Sequence, residues 1–260
     1  MDAAGKREPL LAKPAISNPR LSPDGKRLAL SIEGGSGGAI WFYDLLRDAI
    51  TRLTSSGANS NPVWSPDGRY VVFFSFANGI LWTRSDGAGI PQPLIQSPNS
   101  IPWSFTPDGK RLAYYNNTGL TQIWTVPVEE QGGQLKAGKP EQFLKSSFVD
   151  AQPVFSPDGR WLAYVSNESE KSEVYVRAFP PPASGQGGKW QVSNSGGGSP
   201  VWSKDGRELL YQAGDQMMAV SYTVKGEAFE ADKPRVRIAK LGGTAATLSP
   251  DGKILPCPTA

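Results

Sequence analysis

The chain has 260 residues, a single Cys and no His, and its 29 Gly and 23 Pro make up a fifth of it. Its charges nearly cancel, 27 Lys and Arg against 24 Asp and Glu, for a net +3. The missing His excludes Ser-His-Asp and Cys-His machinery and His-ligated zinc, one Cys excludes an intrachain disulfide, and the dispersed charge predicts no nucleic-acid footprint.

Read from the N-terminus, MDAAGKREPLLAKPAISNPR holds no continuous apolar stretch of the signal-peptide kind. No later segment approaches the roughly 18 apolar residues of a membrane span. The expectation is a cytoplasmic protein as the sequence stands, or a periplasmic one if it is part of a longer chain, with no membrane contact. From Leu21 onward one motif recurs. Its copies are LSPDGKRLAL from Leu21, WSPDGRYVVF from Trp64, FTPDGKRLAY from Phe105, FSPDGRWLAY from Phe155, WSKDGRELLY from Trp202 and LSPDGKILPC from Leu248. Their aspartates fall about 45 residues apart, the period of four-stranded propeller blades. In the motif Pro sets φ near −65°, Asp accepts nearby backbone N–H groups, and Gly supplies a left-handed residue before the next strand. Each Asp therefore closes a turn on its own blade, and the set does not converge on a metal or an acid-base array.

Between the motifs lie short runs of β-branched and aromatic residues with no sustained helical period. In the second unit strands are predicted over Pro62–Ser65, Tyr70–Phe74, Ile80–Arg84 and Gln92–Ile95. The third strands of the other units are read at Ile40–Tyr43, Ile123–Val126, Val174–Arg177 and Met218–Ser221. The predicted fold is all-β: one six-bladed β-propeller domain over residues 1–260, built of four-stranded antiparallel blades. Complete blades are read at 18–56, 59–97, 100–146, 150–194 and 198–240. An incomplete sixth comprises 244–258 and is closed by an N-terminal strand over 5–12. Pro256 and Pro258 would withhold their donors from the same strand edge, which places the end of the chain at an edge.

The apolar-Ser-Pro-Asp-Gly repeat resembles the TolB-type, WD-repeat-like β-propellers over nearly the whole chain. The stretch from Gln152 to Val220 is similar more narrowly to the C-terminal sensor propellers of bacterial serine/threonine kinases. That resemblance implies a sensor or interaction domain. Kinase motifs themselves are absent from the sequence.

In such a ring the loop from fourth to first strand and the loop from second to third share one face, opposite the SPDG turns. The first strands open there with Asn18, Asn61, Pro102, Gln152, Ser199 and Ala245. The second-to-third-strand loops bring Asn116, Asn117 and Asn167 to the same face. The amides offer paired donors and acceptors suited to peptide backbone, sugar hydroxyls or carboxyl groups, and equally to capping their own turns. Glu33, Asp150, Glu168 and Asp215 are the carboxylates placed to meet an oxygen-loving cation such as Ca²⁺, although none lies in a calcium-loop sequence. Trp64 and Trp202 in first strands, and Trp41, Trp82 and Trp124 in third strands, fit packing between blades. Trp103 and Trp190 break that rhythm and are read as aromatic contacts at the surface.

These features predict a monomeric, non-catalytic binding module that presents its channel mouth to a protein, peptide or glycan and needs no cofactor. The alternative is a calcium-dependent hydrolase of lactonase, esterase or glycosidase type, with a carboxylate-and-amide site in the channel.

Overall fold

The computed structural model describes residues 16–34, 37–182, 188–226 and 228–241, and the backbone of 245–248 and 254–257. Its repeating feature is the turn that the SPDG sequence demands. In the second unit the Ser65 hydroxyl donates to Asp67 Oδ1 at 2.6 Å and accepts the Tyr70 N–H at 3.0 Å. Asp67 Oδ1 also accepts the Arg69 N–H at 3.0 Å, and Gly68 takes φ 72°. The same pairs recur at Ser22 and Asp24, Thr106 and Asp108, Ser156 and Asp158, and Ser203 and Asp205. Lys204 in the Pro position leaves the fifth turn intact. The sixth motif's Asp251 lies outside the described residues.

Each turn joins the first two strands of an antiparallel blade. Blade 1 is β1 (Ile16–Leu21), β2 (Arg27–Ile32), β3 (Ala39–Asp44) and β4 (Ala49–Arg52). Blade 2 is β5 (Asn59–Trp64), β6 (Tyr70–Ser75), β7 (Gly79–Arg84) and β8 (Gln92–Ile95). Blade 3 is β9 (Ser100–Phe105), β10 (Arg111–Asn116) and a long β11 (Gln122–Gln131). Two strands share the outer edge of β11: β12 (Gln134–Ala137) pairs its far half and β13 (Glu141–Gln142) its near half. Blade 4 is β14 (Asp150–Phe155), β15 (Trp161–Ser166), β16 (Glu173–Ala178) and β17 (Lys189–Gln191). Blade 5 repeats the plan of blade 3 with β18 (Gly198–Trp202), β19 (Glu208–Ala213), a long β20 (Gln216–Lys225), β21 (Ala228–Ala231) and β22 (Arg235–Ile238).

The described residues thus form five complete blades, not six. In place of a sixth stands a two-stranded sheet of β23 (Ala245–Leu248) and β24 (Ile254–Cys257). The strand expected over 5–12 lies outside the described residues. β23 contacts both β18 and β1, so six innermost strands follow one another around a ring. β24 pairs with β23 alone among the described residues, which puts Pro256 on an edge strand.

Every innermost strand of the five blades carries a bulge. Ser60 and Val63 on β5 face Phe74 and Val72 on β6, so three steps on one strand match two on the other. β1, β9, β14 and β18 each hold one extra residue in the same way. The extra residue accompanies Pro19, Pro62, Pro102, Pro153 or Pro200, which an edge strand tolerates because its outer N–H groups need no partner. These strands consequently begin earlier than the sequence pattern predicts, at Asn59 instead of Pro62 in blade 2.

Packing between blades supplies the core. Val72, Ile80 and Trp82 of blade 2 meet Leu112, Val126 and Leu135 of blade 3, all buried. Trp161 and Val174 of blade 4 meet Leu209, Val220 and Phe229 of blade 5. Each such side chain contributes about 1.5–3 kcal/mol on leaving water. Indoles tie neighbouring inner strands together: Trp64 Nε1 donates to the Arg20 carbonyl at 2.9 Å, and Trp202 Nε1 to the Val154 carbonyl at 3.0 Å. Trp190, read above as a surface contact, instead packs edge-on to Trp161 at 5.4 Å.

Candidate site at the channel mouth

The bulges create the mouth. Asn18, Asn61, Gln152 and Ser199 hold the extra-residue position of four inner strands, with φ of 51°, 51°, 56° and 49°. This left-handed conformation is favourable for Asn and strained for Gln and Ser. Blade 3 has Pro102 in this place, and its ring forbids positive φ. The four residues connect from blade to blade. Gln152 Oε1 accepts the Ser199 N–H at 2.7 Å, and Asn18 Nδ2 lies 3.5 Å from Asn61 Oδ1. The Asn61 N–H reaches the Ser31 hydroxyl at 3.1 Å. Asn18, Asn61 and Glu33 line one cleft of about 520 Å³ between blades 1 and 2, together with Ser31, Asn59 and Phe76.

Asn116, Asn117 and Asn167 sit in loops on the same face, and each is engaged locally. Asn116 Nδ2 donates to the Ser100 hydroxyl at 2.9 Å, and its Oδ1 accepts the Thr118 N–H at 3.0 Å. Asn117 Oδ1 accepts the Thr121 hydroxyl, and Asn167 Oδ1 accepts the Val149 N–H at 2.8 Å. These amides shape the loops, and Asn117 and Asn167 remain exposed.

The four candidate cation ligands are dispersed. Glu33 and Asp215 are exposed on blades 1 and 5. Glu168 is ion-paired with Lys189 at 2.6 Å. Asp150 is buried at the start of β14, where burial raises its pKa while the Ser146 hydroxyl donates to it. No three acidic or Cys side chains come together to hold a metal among the described residues.

Two further features are not part of the SPDG motif. Phe76, Leu120, Phe148 and Val149, all in mouth-face loops, are 66%, 44%, 39% and 40% exposed. Leu46 and Ile90, in loops on the opposite face, are 81% and 75% exposed, so the mouth is distinguished by the company these side chains keep with amides and hydroxyls and not by exposure alone. Deeper in the channel, Arg20 and Trp103 line a cavity of about 300 Å³ that runs from the bulge residues Asn18 and Ser199 to Pro23 and Pro66 of the SPDG turns, and the guanidinium lies over the indole at 5.0 Å. Burial pulls the Arg20 guanidinium down to about 10, which leaves it charged at neutral pH. The signal for both residues lay in the repeat itself. Where Arg20 stands, the other units have Val63, Ser104, Val154 and Val201; where Trp103 stands, they have Pro19, Pro62, Pro153 and Pro200.

Over 160 residues the chain is 30% identical to the Tol-Pal system protein TolB of Francisella tularensis, and the alignment covers 59% of the chain. A structure from Agrobacterium tumefaciens, solved as a candidate TolB, superposes with a TM-score of 0.68 at 18% identity, covering 93% of this chain and 88% of that one. The chain folds as a β-propeller similar to TolB's. The TolB-like propeller is also 27% identical over 203 residues to an uncharacterized peptidase, YuxL, of Bacillus subtilis, covering 62% of the chain. It spans only 31% of that protein's length and 36% of the Francisella TolB's. No protein-family model matches the chain.

Proposed function

We propose that this TolB-like propeller is a non-catalytic interaction module that takes a protein or peptide segment across its channel mouth. The observation that carries this reading is the make-up of the mouth face. Half-buried Asn, Gln and Ser side chains line four of the inner strands, and the exposed Phe76, Leu120, Phe148 and Val149 lie in loops of blades 2 and 3 and the loop into blade 4 on the same face. Apolar anchors bordering fixed amide and hydroxyl groups suit a polypeptide, which offers both apolar side chains and regularly spaced backbone donors and acceptors. The likeness to a named component of the Tol-Pal system agrees with a protein partner. A glycan would use the amides and leave most of the exposed apolar side chains uncovered.

Selection of displayed random peptides against the whole chain tests the proposal, with Phe76→Ser and Phe148→Ser as variants. Both side chains are exposed, so the fold tolerates their loss. Selected peptides should bind at least about tenfold more weakly to the variants. Peptides that ignore both substitutions, or a glycan array that yields ligands where peptide display yields none, would overturn it.

A further inference from the structure

The two departures from the repeat inside the channel meet each other. Arg20 on β1 reaches past β5 to lie over the ring of Trp103 on β9, which in turn packs at 5.6 Å against Tyr115. Val63, Ser104, Val154 and Val201, the repeat equivalents of Arg20, line the same cavity, so among the described residues the guanidinium is the one charged group in a wall that is otherwise apolar or neutral, with Asn18 and Ser199 among its members. Its one hydrogen bond to the protein among the described residues goes from Nη1 to the neighbouring Pro19 carbonyl at 3.3 Å. No carboxylate pairs with it among the described residues; Arg27, Arg52 and Arg160 likewise lack an acidic partner, but each donates to a carbonyl, Arg27 and Arg160 to one distant in sequence, and none lines this cavity. Arg20 is half-buried, and a partly desolvated charge without an acidic partner is compensated only in part by contact with an indole. Stacking also leaves the edge of the guanidinium fork free, the geometry that grips a carboxylate with two parallel hydrogen bonds.

We infer that Arg20, lying over the ring of Trp103, is an anion subsite within the channel that receives a carboxylate of the bound peptide, from an acidic side chain or a free C-terminus. This inference rests on the interaction-module reading and adds the chemistry that the channel selects. The remaining wall contributes shape: Val63, Val154 and Val201 exclude water around the ion pair, which strengthens it.

The test follows the Trp103 indole N–H in proton–nitrogen spectra of the whole chain, with the signal identified by its loss in Trp103→Phe. The probes are acetyl-Ala-Ala-Asp-amide, its Asn counterpart, acetyl-Ala-Ala-Ala with a free carboxylate, and inorganic phosphate. Both carboxylate peptides should shift the indole signal, and the Asn peptide should require at least about tenfold higher concentration. Arg20→Met and Arg20→Gln should abolish the difference between the Asp and Asn peptides while leaving the thermal midpoint unchanged or raised, since each removes an unpaired charge. Equal response to the Asp and Asn peptides, an unchanged response in folded Arg20→Met, or a response to phosphate alone would overturn the subsite. Display-selected peptides that bind wild type and Arg20→Met equally, yet lose affinity with Phe76→Ser, would remove the subsite and keep the mouth reading. Indole shifts from the carboxylates alongside mouth-independent peptides would do the reverse.

Discussion

Gln152 accepts the backbone N–H of Ser199 at 2.7 Å, and the two residues hold the same position in consecutive blades. Both sit at the left-handed residue of an inner-strand bulge, so one blade's strained backbone is tied to the next blade's strained backbone. The bond therefore fixes the spacing of blades 4 and 5 at the mouth. Gln152→Ala should cost about 1–2 kcal/mol in urea unfolding from the lost acceptor, the left-handed strain being common to Gln and Ala. Gln152→Gly loses the acceptor without the strain and should be the more stable of the two variants. Equal stabilities would show that the backbone relaxes once the bond is gone.

The SPDG turns yield a graded prediction. Ser156 is fully buried, donates to Asp158 at 2.5 Å and accepts the N–H of buried Trp161 at 3.0 Å. Ser203 makes the equivalent bonds in an open, half-exposed turn. Ser156→Ala should cost about 1–3 kcal/mol because a buried donor loses its partner, and Ser203→Ala less, because water replaces the hydroxyl. Chemical denaturation of the two variants measures the difference.

Acid should loosen the same turns. The hydroxyls of Ser22, Thr106 and Ser203 are the first cause holding Asp24, Asp108 and Asp205 below the ordinary carboxyl value of 3.8. A carboxyl whose pKa is lower folded than unfolded adds stability above the unfolded value and loses it as pH falls through the folded one. Stability should thus hold down to about pH 4 and decline below it. Asp108→Asn should flatten part of that decline. A thermal midpoint as steep in pH for the variant as for wild type would place the acid sensitivity elsewhere.

Much of this architecture was legible because SPDG chemistry is local: Ser, Asp and Gly within six residues specify the turn, and turns at regular spacing imply blades. The long β11 and β20 were not read, because their second halves leave the blade to pair with returning hairpins. The Gly132–Gly133 pair, at φ 59° and 79° between polar strands, is the turn signal that marks the first of them. The bulges were missed because Asn-Pro, Gln-Pro and Ser-Pro read as loop ends. Position in the repeat alone does put Asn18, Asn61, Gln152 and Ser199 at equivalent points of four inner strands, which the shared left-handed φ matches. Arg20 and Trp103 lie 83 positions apart on non-adjacent blades, and only the ring brings them together.

Those hairpins matter to stability. Phe229 on β21 is 1% exposed and packs against Tyr222 at 4.8 Å and Trp161 at 5.3 Å, filling the space between blades 4 and 5. Phe229→Ala should cost about 3–5 kcal/mol, whereas Phe76→Ser at the exposed mouth should stay within about 0.5 kcal/mol of wild type. Calorimetric scans of both variants check the contrast.

The most direct test of the interaction-module account is hydrogen exchange on the whole chain, with and without a display-selected peptide. Protection concentrated in the mouth-face loops at 76–78, 117–121 and 146–149, and at the bulges around Asn61 and Gln152, is the predicted result. Protection confined to the SPDG turns or the outer strands would contradict it.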